Sequence, residues 1–319
     1  MSSSIRTVGV VGTGVIGASW TGLFLVRGLK VLVSDPGHDA EKNLAENLRK
    51  MWPSIEQLGL SPGASLDNYS FVGSSLKDHY QEVDFIQENA PEIQGLKEGL
   101  IAEMDEGTRE DIVIASSSSG IPSSQFVGKC KKNPGRVLIG HPFSPPALMP
   151  LVEVVPHPGG DEAATQRAMD FYRSLGKHPV LLRQETPGFA ANRLQAAISK
   201  EAYSLVNRGV LSAEDLDACV TTSLGPRWAL TGPYMSNVLG GGGGSTGFKH
   251  LLHHLGPGMK VWLHDMDEHS FDINDENIDH LDESVQAMLK DHSVQQVEEQ
   301  RDDVLLKLLA LKKDKSALV

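Results

Sequence analysis

The residues Thr7-Val-Gly-Val-Val-Gly-Thr-Gly-Val-Ile-Gly17 predict the fold of the first half of the chain. They begin as an apolar run, which is typical of a buried strand, and continue as Gly-x-Gly-x-x-Gly, which is typical of the turn into a helix. In such a turn Gly12 permits a tight bend, Gly14 lets the backbone approach a pyrophosphate, and Gly17 lets the helix pack closely on the strand. We therefore expect the N-terminus of this helix to bind the phosphates of a dinucleotide.

A second apolar run, Lys30–Ser34, follows the helix and ends at Asp35, which lies 18 residues after Gly17. A carboxylate at this position accepts hydrogen bonds from ribose hydroxyls and repels a 2′-phosphate, so the sequence predicts NAD rather than NADP. A glycine-rich turn without a ligand is the alternative. The complete order of strand, glycine turn, helix, strand and acid makes that alternative the less favoured one.

The distribution of strand and helix signals divides the chain. Apolar runs alternate with helical segments as far as Pro179–Leu182, and only helical patterns remain from Arg193 onward. Such alternation predicts an α/β fold with a largely parallel sheet. We therefore predict an N-terminal Rossmann-like dinucleotide-binding domain over residues 1–187 and an all-α domain over residues 188–319.

The stretch Gly140–Val155 carries a histidine and a glutamate at two predicted strands. His141 follows the apolar run that begins at Val137, and Glu153 lies 12 residues later, among the apolar residues of the next strand. Open α/β sheets bind ligands at the C-terminal ends of their strands, and a carboxylate among apolar neighbours needs a partner. A carboxylate on one imidazole nitrogen makes the other nitrogen a better base. The pattern therefore predicts a His–Glu base, with a structural histidine and a strand-edge glutamate as the alternative.

A run of serines at positions 116 to 119 follows another predicted strand, Ile112–Ala115. A serine cluster at the end of a strand is usually a solvated turn. Because this turn is predicted to lie on the same sheet edge as His141, one of its hydroxyls could face the site.

Charge and cysteine content exclude several classes of partner. The net charge of −12 disfavours nucleic-acid backbones and anionic membranes. The two cysteines, Cys130 and Cys219, lie far apart, which predicts no disulfide framework, no cysteine metal site and a cytoplasmic location. No apolar run of about 18 residues predicts a membrane span, and the N-terminus lacks the apolar core of a signal peptide.

A cluster of histidines, His250, His253 and His254, shares one predicted helix face. Such spacing could bind a metal ion. No neighbouring acid or cysteine completes a set of ligands, so a solvated histidine face is the favoured interpretation and no metal site is predicted.

The order of these motifs resembles the 3-hydroxyacyl-CoA dehydrogenase superfamily over essentially the whole chain. The resemblance rests on the glycine turn, the serine-rich loop, His141-Pro-Phe-Ser-Pro-Pro, Leu151-Val-Glu-Val-Val and Thr186-Pro-Gly-Phe-Ala-Ala-Asn-Arg-Leu. Within the superfamily the chain is most similar to the lambda-crystallin branch, which includes L-gulonate 3-dehydrogenase, and to L-carnitine dehydrogenase. Gly225-Pro-Arg-Trp-Ala, residues 247–257 and the last helical stretch carry that closer likeness.

The resemblance implies a role for each matching residue. It implies that His141 is the catalytic base, that Glu153 orients it, and that Ser119 and Asn192 bind the reacting oxygen of the substrate. Besides Gly12, Gly14 and Gly17, it implies as NAD-binding residues Val15, Ile16, Asp35, Glu92, Lys97, Ser119 and Ser144. It also implies a homodimer formed through the C-terminal helical domain.

Two departures from the family pattern bear on these roles. Ser144 stands where the family usually has an asparagine near the nicotinamide, so the hydroxyl either keeps that role or weakens it. Asn47 and Ser54 stand where the acyl-CoA enzymes contact CoA through a serine and a lysine. This second departure disfavours a CoA thioester and favours a small, free substrate.

We therefore expect an NAD-dependent dehydrogenase that oxidises the 3-hydroxyl of a small carboxylic acid, gulonate-like or carnitine-like, to the 3-oxo product. Arg227 is the candidate cation for the substrate carboxylate, with an intrachain salt bridge as the alternative. The rival functions are a short-chain 3-hydroxyacyl-CoA dehydrogenase and a non-catalytic, crystallin-like NAD-binding protein. The presence of both His141 and Glu153 disfavours the last of these.

Overall fold

The structure, a computed structural model, describes residues 5–290 and 293–318 of the chain. It consists of two units, Met1–Arg193 and Leu194–Val319. The first unit contains the β-strands and the second is helical, which confirms the predicted order of an α/β domain and an all-α domain. Residues 1–4, where the sequence predicts no signal peptide, lie outside the described residues.

Eight strands form one sheet among the described residues of the first unit. They are β1 (Thr7–Val11), β2 (Lys30–Ser34), β3 (Tyr69–Phe71), β4 (Phe85–Glu88), β5 (Val113–Ser116), β6 (Val137–Pro142), β7 (Leu151–Pro156) and β8 (His178–Leu181). Their order is β3-β2-β1-β4-β5-β6-β7-β8, and all neighbours are parallel except β6 and β7. Because the C-terminal ends of parallel strands share an edge, the turns after β1, β4, β5 and β6 lie along one edge of the sheet.

Helices lie between strands of the first unit, and one further helix begins after its last strand. They are α1 (Val15–Val26), α2 (Ala40–Ile55), α3 (Gln94–Gly107), α4 (Glu162–Ser174) and the first residues of α5 (Ala191–Asn207). An aromatic cluster joins α1 to α4. The ring centroid of Trp20 lies 5.5 Å from that of Phe24 and 5.6 Å from that of Tyr172, and Phe85 of β4 lies 4.4 Å from Phe171.

A second buried apolar cluster involves the next residue of β4, Ile86, together with Ile101 and Met104 of α3 and Phe189. Successive side chains of a strand point to opposite faces, so β4 contributes to a core on each side of the sheet. A sheet buried on both faces is built from continuous apolar runs rather than alternating ones. This explains why the sequence already indicates these strands.

Local sequence patterns suffice to predict some of these strands and not others. Strands β1 and β2 have the predicted bounds. Strand β3 is not predicted, because a three-residue edge strand is too short for a periodic signal. Strand β6 continues past the predicted apolar run and includes both His141 and Pro142.

The described part of the second unit contains the rest of α5 and five further α-helices. They are α6 (Ala213–Cys219), α7 (Gly225–Gly240), α8 (Gly247–Glu268), α9 (Asp275–Leu289) and α10 (Val294–Lys312). No helix within the described ranges has the length and apolar character that crossing a membrane requires.

Helix α7 follows a π-helical turn at Val220–Leu224. Pro226 lies in the first turn of α7, where a missing N–H costs nothing. The helix is interrupted at Gly232, whose φ of 63° is not helical, immediately before Pro233. A short helical segment therefore precedes this break.

Candidate active site

Two glycines of the turn between β1 and α1 are packed tightly against backbone atoms, and the third faces open space. A Cβ on Gly12, which has a φ of +89°, would lie 2.7 Å from the carbonyl oxygen of Asn89, and one on Gly17 would lie 1.9 Å from that of Gly12. A Cβ on Gly14, by contrast, would have no atom within 4 Å. The next residue, Val15, is 74 % exposed, and Ile16 is half-buried. The turn therefore leaves room for a dinucleotide pyrophosphate at Gly14, as the sequence predicts.

Asp35 is held beside this turn. Its Oδ2 accepts hydrogen bonds from the backbone N–H of Thr13 at 2.6 Å and from the Thr13 hydroxyl at 2.8 Å, and its Oδ1 accepts one from the N–H of Gly37 at 2.7 Å. Burial alone would raise the pKa of this carboxyl, but the hydrogen bonds from Gly37 and Thr13 lower it. A cavity of ≈ 420 Å³ is lined by Gly14, Asp35 and Asn47 among others, so an ionised carboxylate borders the space next to the turn.

Glu92 fixes the serine-rich loop after β5. Its Oε1 accepts hydrogen bonds from the Ser118 hydroxyl at 2.7 Å and from the backbone N–H groups of Ser119 and Gly120, both at 3.0 Å. Burial would raise the pKa of Glu92, but these hydrogen bonds and the charge of Lys97 lower it. Glu92 is therefore an anion that positions the backbone of Ser119.

Lys97 makes a contact that the sequence does not reveal. Its side chain is 1 % exposed, and its Nζ lies 3.0 Å from both carboxylate oxygens of Glu88 and 3.7 Å from Glu92 Oε2. Glu88 also accepts hydrogen bonds from the Ser116 hydroxyl and from the N–H of Ala90. Glu88 ends an apolar strand, which is the only sequence signal that could have indicated this buried pair. Direct contact of Lys97 with NAD stays a prediction, because the described polar contacts of its Nζ are with Glu88, Glu92 and the carbonyl oxygen of Ala90.

His141 and Glu153 are directly opposite each other in the antiparallel pair β6–β7. The Nδ1 of His141 lies 2.8 Å from Oε2 of Glu153. Glu153 is 1 % exposed; burial would raise its pKa, but the hydrogen bond from His141 and those from two backbone N–H groups lower it. An ionised Glu153 requires a hydrogen on Nδ1, which leaves Nε2 of a neutral imidazole as the basic nitrogen.

The Pro-Gly-Phe turn holds the other oxygen of Glu153. Gly188 and Phe189 have φ values of 73° and 52°, and this left-handed bend aims the N–H groups of Ala190 and Ala191 at Oε1 of Glu153, at 2.8 and 3.0 Å. The buried ring of Phe189 lies 5.5 Å from the imidazole of His141. A positive φ is rare for a bulky residue, so the surrounding contacts must impose it.

Asn192 continues this chain of contacts to the serine loop. Its Nδ2 donates to the carbonyl oxygen of Ser119 at 2.8 Å. The exposed hydroxyl of Ser119 has no hydrogen-bond partner among the described residues. The structure thus links all four predicted catalytic residues, from His141 through Glu153 and the turn that carries Asn192 to Ser119.

The remaining candidates take no part in this chain of contacts. Ser144 is exposed in the loop between β6 and β7, which we call the 143–150 loop. Arg227 is exposed in the second unit and forms no ion pair with any described residue. His250 and His254 stack with ring centroids 6.4 Å apart, and no group of three potential metal ligands occurs in the described ranges.

The geometry of Asp35 predicts the choice of cofactor. We expect the protein to bind NAD about tenfold or more tightly than NADP, a difference of roughly 1.4 kcal/mol or more, because the ionised carboxylate would repel a 2′-phosphate. Asp35→Ala should narrow this difference. Direct titration of the wild type and of Asp35→Ala with NAD and with NADP measures this difference in affinity. Equal affinity of the wild type for the two cofactors would contradict the prediction.

The chain matches two family models in succession. Residues 7–186 match the NAD-binding domain of 3-hydroxyacyl-CoA dehydrogenase, and residues 188–270 match the C-terminal domain of the same enzyme. A solved structure with a similar fold is that of 5-formyl-3-hydroxy-2-methylpyridine 4-carboxylic acid 5-dehydrogenase, an NAD⁺-dependent dismutase. It is 24 % identical, covers 97 % of this chain and 98 % of its own, and has a TM-score of 0.74.

Curated relatives are similar over most or all of their length. A 3-hydroxyacyl-CoA dehydrogenase of Gibberella moniliformis is 50 % identical over 318 residues, which is 100 % of this chain and 98 % of that protein. L-Carnitine dehydrogenases are 36 % identical in Oceanobacillus iheyensis, over 97 % of this chain and 99 % of that one, and 44 % identical in Nocardiopsis dassonvillei, over 81 % and 77 %. Together with the two matched domains, these relatives show that the chain belongs to the 3-hydroxyacyl-CoA dehydrogenase family and is an NAD-dependent oxidoreductase.

Proposed function

We propose that this enzyme oxidises the 3-hydroxyl group of a small carboxylic acid, gulonate-like or carnitine-like, to the 3-oxo product. The observation that carries the proposal is the contact between His141 Nδ1 and Glu153 Oε2 at 2.8 Å. This pair lies at the C-terminal end of β6, on the same sheet edge as the glycine turn after β1. Open α/β sheets carry their reaction centres at this edge.

The proposed reaction removes two hydrogens from one carbon and its oxygen. NAD, when bound, supplies the acceptor for the hydride, which leaves the carbon with its bonding electrons. The basic Nε2 of His141 takes the hydroxyl proton, and a C=O bond forms. Glu153 stays ionised and stabilises the imidazolium that results, while the N–H groups of Ala190 and Ala191 stabilise Glu153.

Ser119 and Asn192 are proposed to bind the oxygen that becomes the carbonyl. The hydroxyl of Ser119 is free to donate, and Asn192 keeps a second N–H after donating one to the Ser119 carbonyl. Donors aimed at a developing charge stabilise the transition state in either direction of the reaction. General acid–base catalysis by a positioned side chain contributes roughly 10² to 10⁴ in rate.

Replacement of the proposed base should separate catalysis from cofactor binding. We expect His141→Gln to abolish turnover and to leave the dissociation constant of NAD unchanged, because the base contacts substrate. Steady-state assays and NAD titration of the same preparation measure both quantities. Substantial turnover by His141→Gln would show that the mechanism is wrong.

Replacement of its partner should change the pH dependence. Glu153→Gln should lower kcat and move the acidic limb of kcat/KM to lower pH, because the imidazolium loses the carboxylate that stabilises it. A pH profile of both variants, with protein shown to be folded by circular dichroism, tests this. A lower rate with an unchanged profile would mean that Glu153 orients the imidazole but does not stabilise the imidazolium through its charge.

We favour a free acid over a CoA thioester as the substrate because of residues of α2, some of which line the cofactor cavity. Glu46 and Asn47 of α2 line this cavity, and Ser54 lies on the same helix. None of these residues carries a positive charge for the phosphates of CoA. Several relatives are named L-carnitine dehydrogenase, whose named substrate is a small molecule with a free carboxylate.

Arg227 is proposed to bind that carboxylate. It lies in the first turn of α7, just after the π-helical turn, and π-helical segments occur frequently at functional sites. Its guanidinium has no acidic partner among the described residues, so its donors are available for bidentate recognition of a carboxylate.

Removal of this cation should weaken substrate binding alone. Arg227→Met should raise KM for an acidic substrate by about tenfold to a hundredfold, since hydrogen bonds to charged groups contribute roughly 1.5–3 kcal/mol. The KM for NAD should not change. An unchanged substrate KM, or a lower melting temperature as the sole effect, would assign Arg227 a structural role.

A second candidate function is oxidation of a short-chain 3-hydroxyacyl-CoA. The whole-chain relative at 50 % identity that is named 3-hydroxyacyl-CoA dehydrogenase favours it. An assay of NADH formation with L-gulonate, L-carnitine, 3-hydroxybutyrate and 3-hydroxybutyryl-CoA distinguishes oxidation of a free acid from oxidation of a CoA ester. Turnover of the CoA ester alone would support the second function, whereas NAD binding without turnover of any of them would indicate a non-catalytic protein.

We assign the enzyme to the cytoplasm. Cys130 and Cys219 are both free thiols. Burial and the charge of Asp105 raise the pKa of Cys130 to about 11, so this thiol stays protonated. Free thiols of this kind are consistent with a reducing compartment.

We also propose that the enzyme is a homodimer formed through the second unit. Of the described residues in Leu194–Val319, only Ser204, Val206 and Gly247 are buried. Large apolar side chains of this unit lie exposed; they include Leu194, Tyr234, Leu239, Val261, Trp262, Leu263 and Ile273. A surface of this kind marks a protein interface, and a second copy offers the same apolar surface in return.

A charge on this surface should disrupt the dimer. We expect the wild type to sediment with the mass of two 34.5-kDa chains and Trp262→Glu to shift the equilibrium toward the monomer, because a buried unpaired carboxylate is costly. Leu60→Glu, at an exposed leucine of the first unit, is the matched control and should stay dimeric. A wild type that is monomeric at every concentration in analytical ultracentrifugation would contradict the proposal.

A further inference from the structure

Lys177 is a buried amine that the proposed mechanism does not use. It directly precedes β8 and is 8 % exposed. Its Nζ donates to the carbonyl oxygens of Pro146 and, at 2.8 Å, Met149, and lies 5.6 Å from the centre of the Trp20 ring. No described carboxylate lies within ion-pair distance of it. Both described hydrogen-bond partners of the Lys177 ammonium group therefore belong to the 143–150 loop.

The environment of Lys177 disfavours the charge that it carries. Burial and the positive charge of Arg27 lower the pKa of Lys177 to about 7. An apolar side chain of similar length would fill the same space without this desolvation cost. Unlike an apolar side chain, the amine donates hydrogen bonds to two carbonyl groups of one loop.

The 143–150 loop connects the strand of His141 to the strand of Glu153 and carries Ser144. It has a second attachment, since the N–H of Ala147 donates to the Ser19 hydroxyl at 2.8 Å. Ser19 and Trp20 are neighbours on α1, the helix that begins at the glycine turn. Lys177 thus contacts both the loop and the cofactor-binding helix.

We propose that Lys177 is a positioning residue that holds the 143–150 loop against α1 and so fixes the spacing between the bound cofactor and His141. Its effect on catalysis rests on the proposed function. Hydride transfer requires the reacting atoms in near-attack geometry, and a misplacement of about 1 Å can cost roughly 10²-fold in rate. The position of the 143–150 loop, which follows the strand of His141, therefore determines kcat.

The first test does not depend on activity. Hydrogen exchange of the NAD-bound full chain is followed in the peptide that contains Ala147, Leu148 and Met149, whose N–H groups bond to Ser19 or to the Pro145 carbonyl. Lys177→Met should speed exchange in this peptide. Lys129→Met, which removes an exposed lysine paired with Glu98, is the matched control and should not. Unchanged exchange in Lys177→Met would overturn the proposal.

The second test measures catalysis on whichever substrate of the panel the wild type oxidises. Lys177→Met should lower kcat about tenfold or more, keep the dissociation constant of NAD within about twofold, and keep the melting temperature. A purely structural lysine would instead lower the melting temperature and leave kcat unchanged, and that result would also overturn the proposal. If Lys177→Met does not fold, Lys177→Gln, which retains a donor for one carbonyl, should show a smaller change in the same direction.

A double-mutant cycle tests whether the loop is the shared element. Ser19→Ala removes the second attachment, and it should lower kcat less than Lys177→Met does. The effects of the two changes should not be additive in the double variant, because both act on one loop. Additive effects would overturn the proposal, whereas a wild type without turnover of any panel substrate would count against the proposed function and leave the exchange experiment to decide on Lys177.

Discussion

The active-site half of this molecule depends on one buried carboxylate. Glu153 is almost inaccessible to solvent, yet it stays ionised because one oxygen accepts from His141 and the other from the N–H groups of Ala190 and Ala191. The first contact defines which imidazole nitrogen is basic. The second fixes the turn that leads to Asn192, and through Asn192 the serine loop. Loss of this single charge would therefore disturb the orientation of the base and the position of both proposed oxygen-binding residues.

Carboxylates fix the other loops of this sheet edge in the same way. Asp35 holds the glycine turn through Thr13, and Glu92 holds the backbone of Ser119. The pKa of each of these acids is lower than its ordinary value, as is that of Glu153. Their stabilising contribution is present above the pKa of the unfolded chain and is lost as the pH falls through the lower pKa of the folded chain. Acid should thus loosen the loops of the site together, before it disturbs the apolar core.

How much the sequence could predict depends on how local each signal is. The bounds of β1 and β2, the glycine turn and the spacing of His141 and Glu153 follow from patterns within a few residues. The pair of Lys97 and Glu88 and the contacts of Lys177 join segments whose proximity only the fold creates, so no periodicity reveals them. The exposed surface around Trp262 is also invisible in sequence, because its apolar residues match the stripe of an ordinary core-facing helix.

The antiparallel pairing of β6 and β7 has a consequence for how this family can vary. His141 and Glu153 face each other because they are directly paired, and side chains alternate between the two faces of a strand. A deletion of one residue within β7 that shifted the pairing by one position would bring Val152 or Val154 opposite the imidazole and turn the carboxylate to the other face. Insertions in a connecting loop leave strand register intact. The pairing of His141 with Glu153 should therefore survive changes of length in the connecting loop, but almost none inside the two strands.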